Sequence, residues 1–240
     1  MSGWLHIPAG TTIYGRYGQG WRYWEADDYY HVIPNDCGYA RSTGAVQPLQ
    51  DSMDAACAFV DLLNDADDRA GLVTFGWKDS SDQQLTSNFP ALKSKLQSYS
   101  PCGATAEPDA MKAANDELID SGQAQGYGHR LIILLTDGYA NMLNEVNYDD
   151  STTRTFEFLG KMVTTKIHPT VADAMAAQAV RARNNGVRIY CVTFGSDVDR
   201  ELPREIASYT NAAYYHAEDH EDLSDVFVDI FYRLPPILTQ

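Results

Sequence analysis

Five consecutive aliphatic residues, Leu-Ile-Ile-Leu-Leu at positions 131–135, constrain the fold of this chain more than any other feature. The run is too short to span a membrane, and it lacks the alternation of a strand with one solvated face. It is typical of a strand buried on both faces in the middle of a parallel sheet. Thr136, Asp137 and Gly138 follow directly, so an acidic side chain leaves the end of this strand where a glycine lets the backbone turn.

Segments with strand and helix periodicity alternate along most of the chain. Apolar runs at residues 71–75 and 187–194 predict two more strands, and residues 85–89 are a weaker candidate. Apolar residues at helical spacing predict helices near residues 49–63 and 171–184. This alternation predicts an α/β fold with a doubly wound, mainly parallel sheet and helices on both faces. Such sheets bind ligands outside the carboxyl ends of their strands.

Composition divides the chain into three parts. Residues 1–46 are rich in Trp, Tyr and Gly and keep no periodicity, which predicts a loop-rich segment with one or two short strands. Their aromatic side chains either pack this segment onto the domain or form an exposed binding surface. Residues 47–234 are the predicted α/β domain, with an insertion at 139–169 that contains a candidate hairpin around Gly160. Residues 235–240 form a C-terminal tail.

Charge and cysteine content exclude several classes of function. The formal net charge is −15, which disfavours nucleic acid and anionic membranes as main partners but suits a protein that collects cations. No stretch reaches 18 apolar residues, so no transmembrane helix is predicted. The four cysteines include no Cys-x-x-Cys pair, so neither a zinc site nor a disulfide framework is indicated. Cys57 and Cys191 are expected to be small core residues.

Two oxygen-bearing side chains are candidate cation ligands. Asp137 follows the aliphatic strand, and Thr105 ends the Gly103-Ala104-Thr105 turn before a predicted helix. Each signal alone is ordinary, since Asp-Gly is a common turn and Thr is a common helix N-cap. A hydroxyl and a carboxylate without His or Cys suit a hard cation such as Mg²⁺. Asp197 and Asp199 follow another predicted strand and either line the same edge or form a solvated acidic loop.

Taken together, four segments resemble von Willebrand factor type A domains. They are Gly-Ala-Thr at 103–105, Leu-Leu-Thr-Asp-Gly at 134–138, Leu-Val-Thr-Phe at 72–75 and Val-Arg-Ile-Tyr-Cys-Val-Thr-Phe-Gly at 187–195. They occur in that family's order and spacing, over about residues 47–234. The resemblance implies a metal-ion-dependent adhesion site at the upper edge of the sheet. It implies Mg²⁺, or Mn²⁺ or Ca²⁺, held by Thr105 and Asp137. Gly103 and Gly138 adjoin these ligands, and with Asp197 and Asp199, placed by their position after a strand, they are candidates for the edge of the site.

The sequence departs from the family at its first motif. That motif is Asp-x-Ser-x-Ser at the end of an apolar first strand, and neither Asp51-Ser52-Met53 nor Asp79-Ser80-Ser81-Asp82-Gln83 supplies it. Many bacterial members read Asp-x-Ser-Gly-Ser-Met here, and this chain opens Met1-Ser2-Gly3. We therefore expect that Met1 is an internal methionine of a longer protein, the alternative being an ordinary start. The family's first strand lies in mid-sheet, so its loss predicts a marginal fold and weak cation binding.

The resemblance implies a protein-binding or adhesion module and not an enzyme. Its cation would accept a carboxylate from a protein partner. The ending at residues 225–238 is also similar to bacterial tight-adherence pilus-assembly relatives, which implies a role in pilus assembly or cell-surface adhesion. In that case the domain lies outside the cytoplasm or is membrane-anchored through an upstream segment. Two alternatives stay open, a metal-assisted hydrolase on a doubly wound sheet and a non-functional truncated fragment.

Overall fold

A computed structural model describes the backbone of four short strands within residues 4–32 and most of the chain from residue 49 onwards. The described ranges there are 49–76, 79–99, 104–122, 128–148 and 152–234, with residues 124 and 126. The sequence predictions for Gly103 and for the tail at 235–240 lie outside these ranges.

The N-terminal segment contains more strands than the sequence predicted. Strand β1 (Trp4–His6) pairs antiparallel with β4 (Tyr30–Val32), and β2 (Thr12–Tyr17) pairs antiparallel with β3 (Gly20–Glu25). The expectation of one or two strands was therefore wrong. Two residues separate β2 from β3, which is the loop length of a two-residue β-hairpin. The strands were missed because this aromatic and glycine-rich sequence does not alternate between apolar and polar residues.

The α/β domain begins with α1 (Leu49–Asp61), β5 (Ala70–Phe75), β6 (Asp79–Thr86) and α2 (Phe89–Leu96). It continues with α3 (Glu107–Asn115), which runs into one π-helical turn (Asp116–Asp120), and β7 (Arg130–Thr136). The small strands β8 (Met142–Leu143), β9 (Val146–Asn147), β10 (Arg154–Phe158) and β11 (Lys161–Thr165) follow. The last elements are α4 (Pro169–Asn184), β12 (Val187–Phe194), α5 (Glu201–Tyr209), β13 (Tyr214–Ala217) and α6 (His220–Arg233).

The central sheet is parallel, in the strand order β13-β12-β7. Thr193 of β12 lies opposite Thr136 of β7, so the carboxyl ends of these strands meet at one edge. Strands β5 and β6 form a separate antiparallel pair. Among the described strands, none pairs with the free edge of β5 or with that of β7. The predicted α/β class is confirmed.

Helices cover both faces of the sheet. One apolar cluster places Met111, Met175 and Leu202, from α3, α4 and α5, against one face. A second cluster places Phe59 of α1 and Phe227 of α6 against the other. Strand β12 is buried along almost its whole length, whereas Leu134 is the only residue of the run at 131–135 that is fully buried. The prediction that β7 is buried on both faces was therefore wrong in part, because among the described strands only β12 pairs with β7.

Several local predictions have clear outcomes. The hairpin around Gly160 is confirmed, with β10 and β11 joined by Leu159 and Gly160 at φ 52° and 86°, as a type I′ turn requires. The strand predicted at residues 85–89 is confirmed only at its start, because β6 ends at Thr86 and Asn88 caps α2 by accepting a hydrogen bond from the Ala91 N–H. The two core cysteines at positions 57 and 191 are buried, as expected.

No helix in the described ranges is both long enough and apolar enough to cross a membrane.

Candidate functional site

Thr105 lies just before α3 and is fixed to the segment that follows β7. Its N–H donates to the Asn141 side-chain oxygen at 2.9 Å. Its carbonyl oxygen accepts hydrogen bonds from the Asn141 N–H at 3.0 Å and the Met142 N–H at 3.2 Å. These three backbone contacts hold the Thr105 hydroxyl at the carboxyl edge of the sheet, where ligands of doubly wound sheets bind.

The structure brings Thr105 next to the Asp137-Gly138 turn. A Cβ added at Gly138 would lie 3.7 Å from the Thr105 hydroxyl oxygen, so this hydroxyl faces the turn at van der Waals distance. Asp137 is half-buried, and desolvation raises the pKa of its carboxyl. The Thr105 hydroxyl therefore lies beside the turn that carries Asp137, while the role of these two residues as metal ligands stays a prediction.

The two acids after β12 behave differently. Asp199 is 4% exposed, and its N–H donates to the Gly138 carbonyl oxygen at 3.2 Å. One carboxylate oxygen of Asp199 accepts from the Glu201 N–H at 3.1 Å, and burial raises the pKa of this carboxyl to about 6. Asp197 has an 83% exposed side chain, which lies 3.9 Å from the Lys166 ammonium. Asp199 is thus buried beside the Asp137-Gly138 turn, whereas the Asp197 side chain is exposed to solvent.

Glu107, in the first turn of α3, is a site residue that the sequence did not reveal. It is 1% exposed, and the Thr136 hydroxyl donates to one of its carboxylate oxygens at 2.6 Å. Burial raises the pKa of Glu107 to about 7, against the effect of that hydrogen bond, and the charges of Asp199 and Asp137 raise it further. An acid in the first turn of a helix is an ordinary feature, so no signal in the sequence singled it out.

Among the described residues, three buried oxygen atoms at this edge find no hydrogen-bond partner: the Thr105 hydroxyl oxygen, one oxygen of Glu107 and one of Asp199. Each such atom costs about 1–3 kcal/mol unless it binds something, and unpaired oxygens of this kind mark places for a water or an ion. They are hard oxygen donors of the type that Mg²⁺ and Ca²⁺ prefer. Within the described ranges, no group of three His, Cys, Asp or Glu side chains is arranged to hold a metal ion.

The sequence of residues 42–229 matches the family model of the von Willebrand factor type A domain, which is most of the chain. The chain belongs to the von Willebrand factor type A family. Domains of this family generally mediate adhesion and protein binding. The von Willebrand factor type A fold accounts for the parallel sheet and for the position of Thr105 and Asp137 at its carboxyl edge.

Solved structures with this fold resemble the chain at low sequence identity. A von Willebrand factor type A protein from Catenulispora acidiphila has a TM-score of 0.57 at 17% identity, over 81% of this chain and 39% of that one. The domain of the type V pili tip protein Mfa5 from Porphyromonas gingivalis has a TM-score of 0.55 at 14% identity. This match covers 80% of this chain and 91% of the Mfa5 domain chain. Mussel byssus proximal thread matrix protein 1, with a zinc-occupied MIDAS motif, has a TM-score of 0.53 at 18% identity. This match covers 75% of this chain and 39% of the mussel chain.

These likenesses show the shared fold. The von Willebrand factor type A chain described here spans only about 39% of the length of the Catenulispora and mussel proteins. A search of curated proteins found none that matches the sequence.

Proposed function

We propose that this von Willebrand factor type A domain binds a partner protein through a divalent cation, Mg²⁺ in the first place, held by Thr105 and Asp137. The observation that carries the proposal is the buried Thr105 hydroxyl oxygen, which has no hydrogen-bond partner in the described part of the chain and faces the Asp137-Gly138 turn. A threonine oxygen in this position is satisfied when it coordinates a cation, and the cost of burying it is then offset.

The neighbouring acids support a cation more than a water molecule. Burial raises the pKa of three carboxyls at this edge, those of Glu107, Asp137 and Asp199. No described residue forms an ion pair with any of them. A divalent cation held by Thr105 and Asp137 would favour the ionised form of any of these carboxyls that lies close to it, because a nearby opposite charge favours the charged state. The bound cation then offers a positive charge to a carboxylate of the partner protein. The net charge of −15 attracts cations from solution and so favours binding of this cation.

We further propose that the domain acts in adhesion, outside the cytoplasm. The likeness to the Mfa5 domain, whose own name places it at a pilus tip, supports this setting through the fold alone. The ending of the sequence, which is similar to tight-adherence pilus-assembly proteins, supports the same setting.

The test is calorimetric titration of MgCl₂ and MnCl₂ into the purified chain after chelator treatment. Thr105→Val removes the hydroxyl oxygen and keeps the side-chain shape, and Asp137→Asn removes the charge. We expect each substitution to weaken cation binding at least about tenfold, the effect of losing roughly 1.4 kcal/mol. Asp197→Asn is the matched control, because it removes an exposed acid from the rim of the same edge.

Folding is checked separately. Thr105→Val should leave the cation-free protein at least as stable as before, because it deletes a buried hydroxyl that has no partner. If Thr105→Val loses cation binding while its melting curve is unchanged, the loss is due to the cation site and not to unfolding. The proposal fails if the unsubstituted chain binds neither cation at millimolar concentration, or if Thr105→Val and Asp197→Asn bind with the same affinity.

A further inference from the structure

The β8–β9 hairpin is too small to be stable by its own contacts. Its strands have two residues each, and their ladder pairs Met142 with Asn147 and Leu143 with Val146. Even a longer two-stranded hairpin is marginally stable in water when it is isolated. The hairpin therefore owes its structure to contacts with the rest of the domain.

The turn of this hairpin contains a residue that does not favour it. Asn144 and Glu145 join the two strands at φ 49° and 63°, and a two-residue type I′ turn requires a positive φ at both positions. Asn tolerates this left-handed backbone, but it is uncommon for Glu, and Asn-Gly is the sequence that such turns prefer. The turn thus adds little stability of its own.

Two contacts anchor the hairpin to the segment that begins α3. Met142 is 1% exposed and packs against Ala104 and Ala106. The Asn144 N–H donates to a carboxylate oxygen of Asp109 at 2.8 Å, in the first turn of α3. These contacts hold one strand and the turn of the hairpin beside the Thr105 segment.

Asn141 provides a third anchor, and it binds the backbone of Thr105 in both directions. Its side-chain oxygen accepts from the Thr105 N–H at 2.9 Å, and its own N–H donates to the Thr105 carbonyl oxygen at 3.0 Å. On the hairpin side, the Asn141 carbonyl oxygen accepts from the Tyr148 N–H at 2.7 Å, which closes the base of the hairpin. We call these three hydrogen bonds the Asn141 clasp.

The Asn141 clasp joins the two segments that carry the candidate cation ligands. Asn141 follows Asp137 on the segment that leaves β7, whereas Thr105 lies on a separate segment before α3. A cation that takes one ligand from each segment requires their separation to be fixed. Groups that hydrogen-bond to metal-binding residues orient them, and their loss typically weakens metal binding by about 10- to 100-fold.

We propose that Asn141 is a positioning residue of the cation site and that the Asn141 clasp couples the β8–β9 hairpin to the bound cation. This proposal rests on the function proposed above. While the hairpin is docked, the clasp holds Thr105 in place for the cation. When the hairpin detaches, the Thr105 N–H loses its acceptor and the hydroxyl loses its fixed position. Because coupling between two sites is reciprocal, a bound cation in turn holds the hairpin on the domain.

The hairpin is suited to regulate the site because its outer part is in solvent. Residues 144–147 are all exposed, and Val146 is 50% exposed. Segments with few buried contacts open locally at a low cost in free energy. A partner protein that contacts these residues would therefore change the cation affinity without touching the cation.

The first measurement is Mn²⁺ affinity by calorimetry after chelator treatment. Asn141→Ala removes the acceptor of the Thr105 N–H, and we expect it to weaken Mn²⁺ binding at least about tenfold. Asn141→Asp keeps an oxygen in the same place, so it should bind Mn²⁺ within threefold of the unsubstituted chain. Rescue by this conservative variant separates the loss of one hydrogen bond from general damage to the fold.

Asn147 provides the matched controls, because it is exposed and lies on β9 of the same hairpin. Asn147→Ala repeats the truncation, and Asn147→Asp repeats the added charge. We expect each of them to change the Mn²⁺ affinity less than twofold.

A second pair of variants loosens the hairpin without altering Asn141. Asp109→Ala and Asp109→Asn remove the same charge, but only Asp109→Asn keeps an acceptor for the Asn144 N–H. We expect Asp109→Ala to bind Mn²⁺ at least threefold more weakly than Asp109→Asn. Because the charge is equal in the two variants, this difference is due to the hairpin anchor.

Hydrogen exchange by nuclear magnetic resonance on the unsubstituted chain tests the coupling in the reverse direction. The N–H groups of Asn141 and Met142 donate to Thr105, and that of Tyr148 donates to Asn141. We expect Mg²⁺ to slow exchange at these three groups at least fivefold. The N–H groups of α2, which packs against α1, should show no change.

The outcomes separate this proposal from the first. Absence of Mn²⁺ binding by the unsubstituted chain would refute the proposed function, and the coupling with it. If the unsubstituted chain binds Mn²⁺, the coupling alone is overturned by equal affinity of Asn141→Ala and Asn147→Ala, or by equal exchange rates at the hairpin with and without Mg²⁺. Should Asn141→Ala fail to fold, the two Asp109 variants and the exchange rates decide, and equal affinity of those two variants would overturn the coupling.

Discussion

Replacing Glu107 by Gln should remove most of the pH dependence of stability of the cation-free protein above pH 6. Burial raises the pKa of this carboxyl from 4.5 to about 7, so the folded state holds the proton more tightly than the unfolded state. For an acid with a raised pKa, the folded state gains stability at low pH. That stability is lost as the pH rises from 4.5 through 7. Gln keeps an oxygen for the Thr136 hydroxyl and has no charge to bury.

The size of the effect follows from the two pKa values. The whole shift corresponds to about 3 kcal/mol, because one pKa unit is worth about 1.4 kcal/mol. Between pH 6 and pH 8, Glu107 accounts for a loss of about 1 kcal/mol in the free energy of unfolding. Asp199, with a pKa of about 6, has lost half of its protons by pH 6 and contributes less than half as much in this window.

The measurement is urea unfolding followed by far-ultraviolet circular dichroism at pH 6, 7 and 8, with chelator present throughout. We expect the free energy of unfolding to fall by about 1 to 2 kcal/mol across this range in the unsubstituted chain, and by under half of that in Glu107→Gln. Glu157→Gln is the control, because Glu157 is an exposed glutamate on β10. Equal pH dependence in the unsubstituted chain and Glu107→Gln would refute the reasoning.

Two further substitutions test the geometry. Gly138→Ala places a methyl group 3.7 Å from the Thr105 hydroxyl oxygen, an ordinary contact, so we expect an unchanged melting temperature with Mn²⁺ affinity several-fold lower by calorimetry. A large drop in melting temperature would contradict this. Thr210→Val removes a buried hydroxyl that accepts from the Ile189 N–H at 3.0 Å and donates to the Ile206 carbonyl at 3.0 Å. It should cost about 1–3 kcal/mol in urea unfolding, and a cost under about 0.5 kcal/mol would count against it.

Periodicity predicted the regular elements of the α/β domain well. Residues 187–194 were predicted as a strand and form β12, and the alanine-rich segment near residues 171–184 forms α4. These segments succeed because their apolar residues recur at the period of the structure they form. The number of strands predicted within residues 1–46 was too low, and the strand predicted at 85–89 extends beyond the end of β6 at Thr86. In these places strand pairing or a helix cap, and not periodicity, determines the backbone.

At the candidate site, the sequence identified Thr105 and Asp137 through their positions after a turn and a strand. It did not identify Glu107, and it gave Asp197 and Asp199 equal standing although only Asp199 is buried. These distinctions depend on contacts between residues far apart in the chain, such as the hydrogen bond from Thr136 to Glu107.

The sequence by itself determined the alternation of strands and helices, the parallel sheet and the edge at which its polar side chains gather, because these depend on local periodicity and on where strands end. Only the tertiary structure decided which oxygens are buried without partners and that hydrogen bonds tie Thr105 to the β8–β9 hairpin. Burial and strand pairing depend on which residues pack together in three dimensions, so the spacing of residues along the sequence does not determine them.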